Sequence, residues 1–147
     1  MVTSATLRSA RAEDFLDIHR LSIQLGYQPT VEHVSKMLKT MSTHSDYKVI
    51  VALKDNNVVG WMTLYQRIRL EDDAFLQVTA LVIDEKVRGE GFGRLLLAYA
   101  EKEALKSGFT CVGLHSNKRR TKTHEFYKHV GYSLLKESYF FEKEFGS

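Results

Sequence analysis

The sequence predicts a mixed α/β fold: a mostly antiparallel sheet, flanked by helices, with one parallel strand pair. Three observations carry that prediction. The apolar run Leu81 to Ile83 passes through Arg88-Gly89-Glu90-Gly91-Phe92-Gly93 into the striped segment Leu95 to Ala100, and a second apolar run follows at Thr110 to His115. Strand, turn, helix, strand in that order demands a parallel pair joined by a right-handed crossover. Two earlier apolar runs flank Asp55-Asn56-Asn57, the signature of an antiparallel hairpin. Before them, apolar residues recur at helical spacing in two successive segments.

In chain order, Thr6 to Ser9 reads as a short strand. Phe15, Ile18, Ser22 and Leu25 then share a helix face, with Gly26 placed to end the helix. Pro29-Thr30 opens a second helix with Val34, Met37, Leu38 and Met41 on one side. Lys48 to Leu53 and Val58 to Tyr65 form the hairpin, and Glu71-Asp72-Asp73 makes a polar turn. Phe75 to Ile83 alternates as a long strand, which places Leu76, Val78, Ala80 and Val82 on one face. The third helix starts near Gly91, buries Phe92, Leu95, Leu96 and Tyr99, and is capped by Gly108. Thr121 or Thr123 opens a short helix through His129 that Gly131 closes, and Tyr132 to Glu142 supplies a last strand, bent into a pair. No linker or repeat interrupts the order, so residues 1–147 are expected to form a single domain.

The bulk numbers exclude several classes. A hydrophobic fraction of 44% and a charged fraction of 27% are those of a globular protein. A net charge of +3 is too small to argue for nucleic acid and suits a small anionic ligand. The single cysteine, Cys111, permits no internal disulfide and reads as a buried inert thiol. No apolar run approaches the ~20 residues of a membrane span. Met1 to Thr6 lacks a basic stretch followed by an apolar one, so a cytoplasmic protein without a signal peptide is expected.

The chemistry concentrates in residues 88–94. A turn rich in glycine lets main-chain N–H groups approach an anion, and the helix behind it adds a positive partial charge. A pyrophosphate is the natural guest. The dinucleotide fingerprint fails because the sixth position from Gly89 is Arg94, and the Walker pattern fails at the same residue. On its own the hexapeptide reads equally as a packing turn. His124 and His129 are five apart, which on a helix sets their rings about 140° from each other, so no zinc pair is expected. Lys118 to Lys122 is basic but has no interleaved aromatics, so nucleic acid is not expected as a partner.

Arg88, Gly91 and Gly93 fit the pattern Arg-x-x-Gly-x-Gly, and downstream come Asn117 and then Phe126-Tyr127 with Gly131-Tyr132. This combination closely resembles the GCN5-related N-acetyltransferase (GNAT) family, most strongly over residues 78–132. The resemblance implies the acyl-CoA N-acyltransferase fold, in which the parallel strand pair splays. It implies acetyl-CoA as co-substrate, with the pantetheine arm on the strand edge at Leu81, Val82 and Ile83. The pyrophosphate would be wrapped by the main chain of Arg88, Gly89, Glu90, Gly91, Phe92, Gly93 and Arg94. Asn117 would contact the pantetheine, and Tyr127 would protonate the departing thiolate. The implied activity is transfer of acetyl to a primary amine of a small molecule by direct attack, with no metal. Dimers are common in such folds.

The acceptor half is less determined. Many relatives carry a glutamate on the long strand, where Gln77 and Thr79 stand here. Glu71, Asp72, Asp73, His115 or an ordered water are the alternatives for a base. Tyr27, within Leu25-Gly26-Tyr27, is expected to line the acceptor pocket, and Thr79 to face it. Two other readings stay open: acetylation of a protein or peptide, and a non-catalytic acyl-CoA sensor.

Overall fold

A computed structural model describes residues 4–146, and the chain divides after His115 into two compact units. The first unit contains a five-stranded sheet in the order β1 (Ala5–Ser9), β2 (Tyr47–Lys54), β3 (Asn57–Arg67), β4 (Phe75–Ile83) and β5 (Val112–Leu114). Neighbours run antiparallel except β4 and β5, which are parallel. The helices are α1 (Phe15–Gln24), α2 (Val31–Ser42) and α3 (Phe92–Lys106), with short 3₁₀ turns at Ala12–Asp14 and Glu85–Val87.

Local chemistry sets the element ends. Asp55 and Asn56 adopt positive φ of 50° and 67°, the turn that joins two strands with matching twist. The Thr30 hydroxyl accepts from the His33 N–H at 3.0 Å and starts α2. At the entry to α1, the Asp14 carboxylate accepts from Arg8 Nη1 at 2.7 Å, from Arg8 Nη2 at 3.0 Å and from the Arg11 N–H at 2.7 Å.

The sheet has two apolar faces. On one, Val51, Trp61 and Val82 pack with Ile18 and Leu21 of α1 and Val34 and Leu38 of α2. The residues of opposite parity, Ile50, Met62 and Leu64, are equally buried, and α3 packs on β2 to β5 with Phe92, Leu96, Leu97, Ala100 and Ala104 buried. Lys48 on β2 reaches Glu103 on α3 at 2.5 Å.

A bulge in β4 corrects the expectation of one shared face. Thr63 lies opposite Ala80 and Leu64 opposite Val78, so Thr79 is an extra residue without a partner on β3. Residues directly opposite in an antiparallel pair point the same way. Leu76 and Val78 therefore share the face of Leu64, while Ala80 and Val82 share that of Thr63 and Trp61. Two further expectations change. Leu95 is exposed, because Leu97 takes the inward position on α3. Cys111 is exposed, because it precedes β5 rather than alternating within it.

The second unit, from Ser116, contains α4 (Thr121–His129), followed by Gly131 at φ 100°. The expected last strand does not form: no strand occurs among the described residues after α4. Leu134, Leu135, Tyr139, Phe140 and Phe141 are all exposed there. Those side chains favour strands, but a strand exists only where another backbone completes its ladder.

Candidate active site

Three features of the first unit meet on β4. The first is an open edge. β5 pairs with β4 only over Leu76, Gln77 and Val78, so from Thr79 to Ile83 that edge has no strand partner among the described residues. This is the splay. The Asp84 N–H donates to Val59 O at 2.7 Å, toward β3. By alternation Val82 also turns its main chain to β3, and Leu81 and Ile83 turn theirs to the open edge. Arg88 Nε donates to Ile83 O at 3.3 Å, which agrees. Of the three residues expected at the edge, Leu81 and Ile83 thus turn their main-chain groups to it, the Ile83 carbonyl already accepting from Arg88. Val82 instead packs its side chain under α1 and α2.

The second feature is the glycine-rich loop. Its start is clamped by Asp84, whose carboxylate accepts from Arg20 Nη1 at 3.1 Å, Gln24 Nε2 at 3.3 Å and the Lys86 N–H at 3.1 Å. Gln24 Oε1 in turn accepts from the Glu85 N–H at 2.9 Å, and Arg20 Nη2 donates to Val58 O at 3.0 Å. Burial pushes the Asp84 carboxyl up, but the Lys86, Gln24 and Arg20 donors outweigh it and hold the group below its ordinary value. Gly91 caps α3 at φ 94°, in the left-handed region that glycine alone enters freely, and no side chain caps the helix. The N–H groups of Phe92, Gly93 and Arg94 therefore lack partners within the helix. No acidic residue lies in that first turn. Glu90 turns its carboxylate to Lys54 at 2.7 Å, so its charge is matched away from the loop's main chain. Phe92 is 2% exposed and offers the loop only its main chain, while Arg88, Gly89, Gly91 and Arg94 are exposed.

The third feature is a cavity of about 700 Å³ between α1, α2 and the sheet. Ala80 and Thr63 form its floor, and Trp61, Met37, Met41 and Leu25 are among its walls. Tyr27 lines it, as expected, and so does His33, which sequence reasoning missed. Thr79 reaches the cavity only indirectly, through a hydroxyl–hydroxyl hydrogen bond to Thr63. The Trp61 Nε1–H is buried without a partner among the described residues. None of the expected base candidates lines the cavity: Glu71, Asp72, Asp73 and His115 are all absent from its wall, as is Gln77. The acidic triplet is an exposed turn in which Arg69 donates to Asp73 O at 2.7 Å and pairs with Asp72 at 3.6 Å.

In the second unit, Asn117 shapes the turn before α4. Its Oδ1 accepts from the Arg119 N–H at 2.9 Å, and its carbonyl faces His124 Nε2 at 2.8 Å. The Tyr127 ring lies between Phe126 and Tyr132, with centroids 5.6 and 6.2 Å away. Burial pushes the Tyr127 phenol up, and Arg120 draws it only partly back. Among the described residues there is no cluster of three metal-ligating side chains, and no helix is long and apolar enough to cross a membrane.

Residues 12–132 match the model of the acetyltransferase (GNAT) family. The chain belongs to the GNAT family. It is thus an N-acetyltransferase by family, and further comparisons agree. It is 31% identical over 140 residues to an aminoalkylphosphonate N-acetyltransferase of Salmonella typhimurium, covering 91% of this chain and 86% of that protein. Among solved structures, a GNAT family acetyltransferase from Staphylococcus aureus superposes with a TM-score of 0.81 at 23% identity, covering 96% of this chain and 100% of that one. The aminoglycoside N-acetyltransferase AAC(6')-Iy in complex with CoA gives a TM-score of 0.85 at 12% identity, with 95% of each chain covered. Both structural likenesses speak to the fold. The GNAT fold explains what sequence reasoning missed: Arg20 and Gln24 lie 64 and 60 residues from Asp84 in sequence, and only the packing of α1 against the end of β4 joins them.

Proposed function

We propose that residues 1–147 act as one acetyl-CoA-dependent N-acetyltransferase whose acceptor is a primary amine of a small molecule. The carrying observation is the sequence of features along β4: an acceptor cavity at Ala80, an open edge at Leu81 and Ile83, and an uncapped helix N-terminus after the loop. The family region spans both units, which supports treating them as one catalytic domain. The relative named for an aminoalkylphosphonate supports a small acceptor.

Acetyl-CoA supplies the activated thioester. Leu81 and Ile83 hold the pantetheine amides as an added strand would be held. The N–H groups of residues 88–94, except that of Glu90, which donates to Val87 O at 3.3 Å, take the pyrophosphate together with the α3 dipole, and Asn117 keeps its side-chain Nδ2 for the pantetheine. The amine must lose a proton before its nitrogen can attack. Among the described residues the cavity wall carries one imidazole, His33, and no carboxylate, so His33 receives that proton. As the N–C bond forms and the C–S bond breaks, Tyr127 gives its phenolic proton to the sulfur, and the second proton of the new amide nitrogen, acidic once that bond exists, returns through solvent to the Tyr127 phenolate. A phenol held above its ordinary value is fully protonated at neutral pH, as a donor must be.

Isothermal calorimetry with acetyl-CoA, together with amide NMR shifts, tests the reading. Binding should move the amide signals of Gly89 to Arg94, Leu81 and Ile83. No binding, or binding that leaves these amides unmoved, refutes it. Tight binding with no thiol release on any amine would instead favour an acyl-CoA sensor.

A further inference from the structure

Resting on that reading, we infer that the acceptor is a monoamine with an apolar, aromatic body, and neither a polycationic sugar nor an aminophosphonate. Among the described residues, no Asp, Glu, Lys or Arg lines the cavity. A second ammonium would need a carboxylate partner, and a phosphonate would need a permanent guanidinium or ammonium, since His33 must stay neutral to accept the amine's proton; without one, a buried charge is strongly disfavoured.

The hydroxyls of Ser22, Thr30 and Thr63 on the wall are committed to the protein. The Ser22 hydroxyl donates to Ile18 O at 2.7 Å, the Thr30 hydroxyl accepts from the His33 N–H at 3.0 Å, and the Thr63 hydroxyl is paired with Thr79. Apart from the neutral polar tips of Tyr27, Gln28, His33 and Trp61, the rest is mainly hydrocarbon, sulfur and ring surface, with Leu25, Met37, Leu38, Met41 and the Trp61 indole. Methionine sulfur and indole are favourable neighbours for an aromatic ring, and methionine adapts its shape to one. The cavity's 700 Å³ is the size of a small-molecule site. The reacting nitrogen belongs at the Thr63 and Ala80 end, beside the open edge of β4, and the ring belongs among the methionines.

The test uses the full chain with ¹³C-methyl methionine and saturating CoA. 2-Phenylethylamine, 2-aminoethylphosphonate, kanamycin and a Met-Leu dipeptide are compared by methyl shifts and by thiol release from acetyl-CoA. Phenylethylamine should move the Met37 and Met41 methyls, leave Met62 on the opposite sheet face unmoved, and show a kcat/KM at least tenfold above the other three. Met37→Glu should lower that kcat/KM at least tenfold while acetyl-CoA affinity stays constant. A faster reaction with any of the other three overturns the inference. Methyl shifts that fail to appear with phenylethylamine overturn it whether or not turnover occurs. Methyl shifts without thiol release on any amine uphold the pocket and refute the catalytic reading instead.

Discussion

Replacing Asp84 by Asn alters one atom at the joint between β4 and the glycine-rich loop. Asp84 Oδ1 accepts from Lys86 N and Gln24 Nε2, and Oδ2 accepts from Arg20. Asn can keep its oxygen toward the first two, which leaves its amide NH₂ facing the Arg20 guanidinium, donor against donor. A hydrogen bond to a charged group contributes about 1.5–3 kcal/mol. The Arg20 side chain is 46% exposed and still reaches Val58 O, so water and that carbonyl offset part of the loss. The expected cost is near the lower bound, about 1.5 kcal/mol, or ~4 °C in Tm.

The pH dependence isolates the cause. The Asp84 carboxyl is held below its ordinary 3.8, so its contribution is present above that value and is lost as pH falls through the lower folded value. Asn does not titrate. Urea unfolding at pH 7 should therefore show the variant less stable, and the gap should close as the pH drops below about 4. Asp14 and the other carboxylates titrate in both proteins and cancel in the difference. Acetyl-CoA affinity should fall as well, because the loop's first N–H groups lose their anchor. Equal stability at pH 7, or a gap that persists at acid pH, would refute the clamp.

Three further outcomes are expected. Tyr127→Phe should lower kcat by about 100-fold while calorimetry finds acetyl-CoA affinity unchanged; an unchanged rate removes the proton-donor role. His33→Gln should lower kcat at neutral pH by a similar factor of about 100, with recovery as the pH rises and the free amine becomes abundant; a variant as active as the parent at neutral pH hands the proton to water. Gly60→Ala should cost about 1–3 kcal/mol in chemical denaturation. A Cβ there would meet Ile83 Cδ1 at 2.7 Å and Val82 O at 2.9 Å, and the carbonyl cannot yield without disturbing the ladder.

The turn at Asp55-Asn56, the α2 cap at Thr30, the capping glycines and the glycine-rich turn into α3 were all legible in the sequence, because each is set by residues within one turn of each other. What escaped depends on distance or on partners. Nothing in Gln77-Val78-Thr79-Ala80 announces a bulge, since the run alternates well and only its register with β3 reveals the extra residue. The Asp84 clamp and the placement of His33 in the cavity need α1 and α2 laid across the sheet. The aromatic C-terminal segment shows the reverse error: its residues are fit for a strand, but fitness without a pairing backbone makes none.

The bulge at Thr79 also makes the two halves of β4 separately adjustable. Leu76 and Val78 answer to the layer beneath α3, whereas Ala80 and Val82 answer to the chamber beneath α1 and α2. A bulkier residue at Ala80 would shorten the chamber at its β4 end while the α3 layer stayed as it is. On the proposed reading, acceptor choice can thus drift in this chain without touching the packing that supports the glycine-rich loop.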